Sequence, residues 1–212
     1  MKRIFVMMCG VCLFSSTLMA QYEDEEEKGF KKENLFTGGT VTVSFFSGQT
    51  VLGANPIFGY RVNKWLDGGL AVNFVYSTSR DYNEFDDRIQ QTTWGPGFFT
   101  RVYPIPFLFA QAQYEINFNN LKYTAAPNSI NYMNGTINTH ANSLLVGGGF
   151  AQGRTAQSNT FYYMCILFDV LKEVNSPYVA VDYDPNTGRQ RTTAIPIIRA
   201  GFNIALFQKR YR

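Results

Sequence analysis

The sequence predicts an all-β protein, an eight-stranded antiparallel up-and-down transmembrane β-barrel. Three observations predict it. Extended segments with two-residue alternation recur along the chain; the connections between them alternate short and long; and the polar phase of the strands is rich in Gln, Asn, Thr and Gly, with few lysines between Leu35 and Phe118. Successive side chains on a strand point to opposite faces. In "FLFAQAQYEINFNN", Leu108, Ala110, Ala112, Tyr114, Ile116 and Phe118 therefore share one face, and Gln111, Gln113, Glu115, Asn117 and Asn119 share the other.

The chain opens with Lys2 and Arg3 before the apolar run "IFVMMCGVCLFSSTLMA", which reads as a secretory signal over residues 1–20 with cleavage after Ala20. The run is too short and too rich in Ser and Thr at its end for a helical membrane span. A lipoprotein signal is the competing idea, because Cys9 and Cys12 lie in this run, but neither follows a Leu-x-Ala/Gly pattern. After cleavage Cys165 is the remaining cysteine, so no intramolecular disulfide forms, and it reads as a small apolar strand residue. Removing Lys2 and Arg3 takes the formal charge from +3 to +1, which argues against a nucleic-acid binder. Residues 21–34, with "YEDEEEKGFKKEN", are acidic, then basic, without periodicity. They read as a solvated periplasmic leader, a cation-binding or partner-docking tail being the sharper alternative.

Residues 35–212 form the barrel domain in this reading. The expected strands are 35–47, 50–62, 65–80, 90–103, 106–122, 139–153, 159–171 and 191–207. Globular strands average about five or six residues, and a tilted membrane strand needs about nine to eleven. Every segment reaches the longer figure. "NK", "PIP" and "RTAQS" make one set of connections, while "SGQ", "DYNEFDDRI", "TAAPNSINYMNGTIN" and "KEVNSPYVAVDYDPNTGRQ" make the other. Outer-membrane barrels have short periplasmic turns and longer external loops. With the N-terminus periplasmic, the strand count puts every long connection outside.

The first strand opposes Val41, Val43 and Phe45 to Thr40, Thr42 and Ser44. The second opposes Leu52, Ala54, Phe58 and Tyr60 to Gly53, Asn55, Gly59 and Arg61. The fourth sets Trp94, Phe98 and Val102 against Gln91, Thr93 and Arg101; the last sets Ile198, Ala200, Phe202, Ile204 and Leu206 against Arg199, Gly201 and Asn203. Strands six and seven are less clean, with Leu145, Phe161, Tyr163 and Leu167 on the inner phase, where small barrels also accept aromatic residues. A soluble periplasmic ligand-binding barrel is the competing fold. A water-facing surface normally carries far more Lys and Glu than this polar phase does. Trp65, Tyr103, Phe107, Tyr76, Tyr82, Tyr162 and Tyr163 crowd the strand ends, as aromatic girdles at the water boundaries would.

"GANPIFGYRVNKWLDGGLAVNFVY", Gly53 to Tyr76, resembles the Pro-x-x-Gly-Tyr, short turn, Gly-Leu-Ala-Val signature of the small outer-membrane β-barrels of Gram-negative bacteria, the OmpA/OmpX-like eight-stranded kind. "RAGFNIALF", Arg199 to Phe207, resembles their C-terminal assembly signal, with "QKRYR" following Phe207 here. The resemblance implies insertion by the barrel assembly machinery, and outer-membrane lipid and lipopolysaccharide as surroundings.

No catalytic constellation emerges. A membrane esterase would want His and Ser on one strand face, but Ser143 is on the opposite face from His140, which Asn142 shares. His140 reads as a rim residue, and no cofactor or metal set is evident. "DYNEFDD" and "DYDPN" are oxygen-rich yet lack EF-hand spacing and read as turns. Glu115 and Arg199 each lie eight residues from the ends of their strands, at Phe107 and Phe207, and hence at similar depth. An unpaired charge inside a narrow barrel is costly, so Glu115 and Arg199, with Arg101 or Arg61, are expected to form a polar plug. The function read from this is a structural or surface-interaction barrel, not an enzyme, presenting loops 81–89, 124–138 and 172–190. A narrow channel for small solutes is the alternative, with a lipid-modifying enzyme ranked below it.

Overall fold

The computed structural model describes residues 29–46, 48–81, 84–130, 133–155, 158–184 and 189–207. The expected signal segment 1–20, leader residues 21–28, Tyr82 and the residues after Phe207 lie outside the described residues. The chain divides into a unit ending at Lys31 and a second from Lys32 onward, and the second is the barrel.

After a single 3-10 turn, Lys32–Asn34, the barrel strands are β1 (Leu35–Phe46), β2 (Gln49–Arg61), β3 (Leu66–Arg80), β4 (Arg88–Ile105), β5 (Leu108–Thr124), β6 (Gly135–Gln152) and β7 (Phe161–Asp169). A separate hairpin, β8 (Val179–Asp184) with β9 (Arg189–Ala194), interrupts the sequence before the closing strand β10 (Ile197–Ala205). The ring runs β1-β10-β7-β6-β5-β4-β3-β2, each strand antiparallel to its neighbours. Eight strands close it. Closure leaves no edge to pair with another chain.

One end carries the tight connections. At 62–65 the Val62 amide reaches Leu66 O at 2.9 Å, and the Trp65 amide donates to Asn63 Oδ1 at 2.9 Å. Pro106 and Phe107 make the second turn, and 153–160 the third. At the opposite end β4, β5 and β6 run past the expected limits, so the connections there shrink to 81–87 and 125–134. Only the β1–β2 connection is tight at this end, and Gly48 takes a positive φ of 76° there, which a residue without Cβ adopts freely.

The expected strand 191–207 does not exist as one element. Arg189–Ala194 belongs to the hairpin, with Ala194 opposite Val179, and the barrel strand starts only at Ile197. Pro196 sits at the break. Proline has no amide hydrogen and holds the residue before it away from many conformations, so neither ladder continues through it.

The alternation sorts the faces as expected. Outward positions form a belt that includes Val41, Leu52, Leu70, Phe98, Ile116, Val146, Ile166 and Ile198, all exposed. Inward positions hold Thr42, Asn55, Asn73, Arg101, Glu115, Ser143, Asp169 and Arg199, all buried. Tyr103 is buried in the barrel and does not belong to an outer girdle, because it shares the odd-numbered phase of Arg101; Tyr163, counted both on the inner phase and among the strand-end aromatics, takes the inner place its phase gives it, beside Cys165. Trp65, Phe107 and Tyr162 do stand exposed at the short-turn end. At the other end Trp94 and Phe118 stack with ring centroids 5.1 Å apart.

Candidate functional site

The chemistry of the molecule is concentrated in its lumen, which side chains fill in three layers. The central layer is built around Glu115 of β5 and Arg199 of β10, on walls separated by β6 and β7. Arg199 Nη2 donates to Glu115 Oε1 at 2.9 Å, and both side chains are almost wholly buried. Gln113 Nε2 donates to the same oxygen at 2.8 Å. Gln111 donates to Gln113 at 2.9 Å, and Arg101 Nε to Gln111 at 2.8 Å, so a file of amides links the second arginine to the same carboxylate.

The other oxygen of Glu115 is taken by a residue from outside the strands. Tyr178 is fully buried, and its hydroxyl lies 2.9 Å from Glu115 Oε2, 3.1 Å from Asn73 Oδ1 and 3.1 Å from Arg199 Nη2. A phenol has one hydrogen. It goes to the carboxylate, the stronger acceptor, while the guanidinium donates to the phenol oxygen. Tyr178 gets there because the chain leaving β7 turns back into the barrel mouth: Lys172 adopts a φ of 53°, the Ser176 amide bonds Glu173 O at 2.9 Å, and Ile195 N bonds Tyr178 O at 2.8 Å.

A second file crosses the barrel above this pair. Thr40 and Thr42 donate to Asn55 Oδ1, Asn55 Nδ2 donates to Asn73 Oδ1 at 2.6 Å, and Asn73 Nδ2 donates to Asn117 Oδ1 at 2.6 Å. Asn117 Nδ2 then donates to Ser143 Oγ at 3.0 Å, which lies 3.0 Å from Ser176 Oγ, which in turn donates to Asp169 Oδ2 at 2.7 Å. Because Ser176 spends its hydrogen on the carboxylate, Ser143 must be the donor between the two serines. Every bond in the file then points toward Asp169, which also accepts the Leu144 and Leu171 amides.

The Asn file lies level with two prolines. Beside Pro56 the β2–β3 pairing passes from Ala54–Phe74 to Ile57–Ala71, and beside Pro96 the β4–β5 pairing passes from Trp94–Phe118 to Gly97–Glu115, with register unchanged. Each proline removes a ladder donor. Asn55, Asn73 and Asn117 stand inside at this level, and their amides bond one another and neighbouring hydroxyls, not the backbone.

The third layer, toward the short turns, is aromatic. Tyr103, Phe109, Phe161 and Tyr163 pack with centroid distances between 5.5 and 6.5 Å. The Arg101 guanidinium lies 3.9 Å from the Tyr163 ring centre. A Cβ on Gly201 would lie 2.8 Å from Tyr163 Cζ, so the bare glycine makes room for that ring. Below it, Arg61 donates to Thr155 O and Ser158 O at 2.9 and 3.0 Å, and Arg154 reaches Asp67 at 3.0 Å and Lys64 O at 2.9 Å. These arginines clamp two turns together.

Of the residues singled out from sequence, Glu115 and Arg199 meet directly and Arg101 joins them through two glutamines. Arg61 is bound to the 153–160 turn at the end of the barrel, away from that pair. His140 is exposed on the outer face opposite Phe118, whereas Ser143 is buried inside, so the two do not share a face. Asp81 and Asp87 build their turn, accepting the Asp86 and Glu84 amides. Among the described residues no group of three or more His, Cys, Asp or Glu converges as metal ligands would. Tyr178, Ser176 and Asp169 were not singled out as a group. Tyr178 carries no alternation signal, and only the apolar "PYVAV" within a polar loop marks it.

No protein-family model and no curated protein matches the chain. Among solved structures it is similar to Ail, the attachment invasion locus protein of Yersinia pestis, in complex with the heparin analogue sucrose octasulfate, at 7% identity over 80% of this chain and 96% of that one, with a TM-score of 0.44. It is also similar to Ail alone, at 9% identity over 81% and 99% with a TM-score of 0.43, and to Neisserial surface protein A, at 12% identity over 81% and 96% with a TM-score of 0.38. At such identities and scores the assignment of an eight-stranded closed barrel rests on the strand pairing itself.

Proposed function

We propose that this chain is an integral outer-membrane β-barrel of a Gram-negative bacterium, with a structural or surface-interaction role and a lumen plugged by its own side chains. The observation that carries the membrane reading is the outward belt. Large apolar side chains occupy the outer phase of all eight barrel strands, Leu70 at 66% and Phe98 at 58% exposure among them. A soluble monomer rarely exposes a contiguous apolar patch above a few hundred Å², whereas an apolar band about 25 Å tall is what lipid requires. In this reading residues 1–20 are the export signal, 21–34 a periplasmic leader, and lipid, lipopolysaccharide and the barrel assembly machinery the partners.

Fractionation with gel mobility tests it. The folded protein is expected in the outer-membrane fraction and to migrate differently before and after boiling. Recovery from the soluble periplasm sinks the reading.

The plug is supported by the layers described above, since an eight-stranded interior is only wide enough for side chains to fill. Planar-bilayer recording is expected to show no large, steady single-channel current. Such a current from the wild-type protein would favour the channel instead. The surface role is supported by the β8–β9 hairpin, which pairs with no barrel strand and presents Asp182, Tyr183 and Arg191 to solvent.

A further inference from the structure

We infer that the outer edge of β9 receives an extended acidic segment of a partner protein, which adds to the β8–β9 sheet as a third strand. The inference rests on the surface-interaction reading and names the place and chemistry of the contact. The barrel strands close into a ring, but the β8–β9 sheet has only two strands and therefore two open edges. Ladder parity says which atoms those edges offer. Ile195 N bonds Tyr178 O, so Tyr178–Ile195 is a hydrogen-bonded pair, and such pairs alternate with unbonded ones along an antiparallel ladder. Val179–Ala194, Val181–Thr192 and Tyr183–Gln190 are then unbonded pairs, whose N–H and C=O groups point away from the ladder. On the β9 side Gln190, Thr192 and Ala194 form the open row, and no backbone bond from it reaches another described residue.

Two observations choose the edge and its occupant. Val179, at the base of β8, is 6% exposed, whereas Arg189, Gln190 and Arg191 of β9 are all exposed. Arg189 and Arg191 stand two residues apart and so on one face, opposite Asp184 and Asp182 in the register, and neither forms an ion pair with a described residue. A strand laid along β9 brings every second side chain over these guanidinium groups. An apolar strand would strip water from both charges and replace nothing, while carboxylates two residues apart form charge-assisted bonds to them. The main-chain bonds supply affinity, and the alternating carboxylates supply the choice of partner. β9 also lacks the proline and the bulge that blunt exposed edges.

The probe is the end-blocked peptide Val-Glu-Thr-Glu-Val-Thr, titrated onto the folded full chain in micelles. It is expected to bind saturably, to weaken as salt is raised, and to slow amide exchange at Gln190, Thr192 and Ala194. A fully N-methylated version keeps both carboxylates but has no amide to donate, and a version with lysine for glutamate is repelled; neither is expected to bind. Thr192→Pro removes an outward amide and leaves the β8–β9 ladder its own donors, and is expected to abolish binding. Should that variant unfold the hairpin, Arg189→Gln combined with Arg191→Gln keeps the edge and is expected to weaken binding about tenfold. Absence of saturable binding overturns the inference. So does equal binding of the N-methylated peptide, or an affinity unchanged by the two arginine substitutions. All are read on protein whose gel mobility changes on boiling, so they stand apart from the fractionation result that decides the membrane reading.

Discussion

Glu115 and Arg199 hold each other at 2.9 Å with 0% and 1% of their side chains exposed, and the cost of separating them is set by what remains behind. Glu115→Leu leaves a buried guanidinium whose carboxylate is gone and is expected to lower stability by about 3 to 5 kcal/mol. Arg199→Met strands the carboxylate in the same way. Combining the two is expected to recover a large part of the loss, because a well-packed apolar pair can replace a buried ion pair. Denaturant unfolding in micelles of the two single variants and the double variant measures this, and strict additivity would mean that the charges do not act as a pair. Tyr178→Phe tests the third member. It leaves Glu115 Oε2 short of its donor and is expected to cost about 1 to 3 kcal/mol. What the sequence carried about Glu115 and Arg199 was depth, read from their equal distance to a strand end. Their azimuth came only from the closed ring, and Tyr178 was hidden because a loop residue obeys no two-residue rule. Tyr103 and Tyr163 were legible by parity, since both share the phase of Arg101 and Cys165, yet proximity to strand ends suggested a girdle.

At the scale of elements, the long connection after β7 does two unrelated things. Its base, Ser176 to Val179 with Ile195, is buried, while β8 and β9 form a two-stranded sheet separate from the barrel. A lone two-stranded hairpin is marginal in water. Amide exchange is therefore expected to be fast across Arg189–Ala194 and slow across Ile197–Ala205, although Pro196 and Ile195 alone separate them. Deleting Val181–Thr192 and joining Ala180 to Thr193, which lie opposite each other, through an Asn-Gly turn should leave heat-dependent mobility intact. Loss of the folded band in that variant would show that the hairpin supports the barrel. The sequence could not separate these parts, because Arg191 to Phe207 reads as one extended run and Pro196 carries the only hint of a break. The other strands were easier: toward the long connections β4, β5 and β6 extend past the expected 90, 122 and 139 only as far as Arg88, Thr124 and Gly135, where the apolar alternation has already given way to polar residues.

At the scale of the whole molecule, outward residues along any one strand step through the depth of the apolar belt, so each strand carries its own depth ruler, while the strand tilt carries register partners on neighbouring strands to different heights. Leu70, Phe98, Tyr114 and Leu144 form one register row across β3 to β6, and Ala54, Phe74, Trp94, Phe118 and His140 form another nearer the long connections. Along β4, outward positions Thr92, Trp94 and Phe98 share a face and differ only in height. An arginine on the lipid face of a barrel costs about 2 to 4 kcal/mol at the midplane and about 0 to 1 near the interface. Arginine at Phe98 is therefore expected to cost the most, at Trp94 less and at Thr92 almost nothing. Each is measured against alanine at the same position by reversible unfolding into lipid vesicles, so that lost packing such as the Trp94–Phe118 stack cancels. A barrel whose outer face meets water would give a flat profile, because an exposed arginine is tolerated at any height. The gradient, and its peak at Phe98, separates the two.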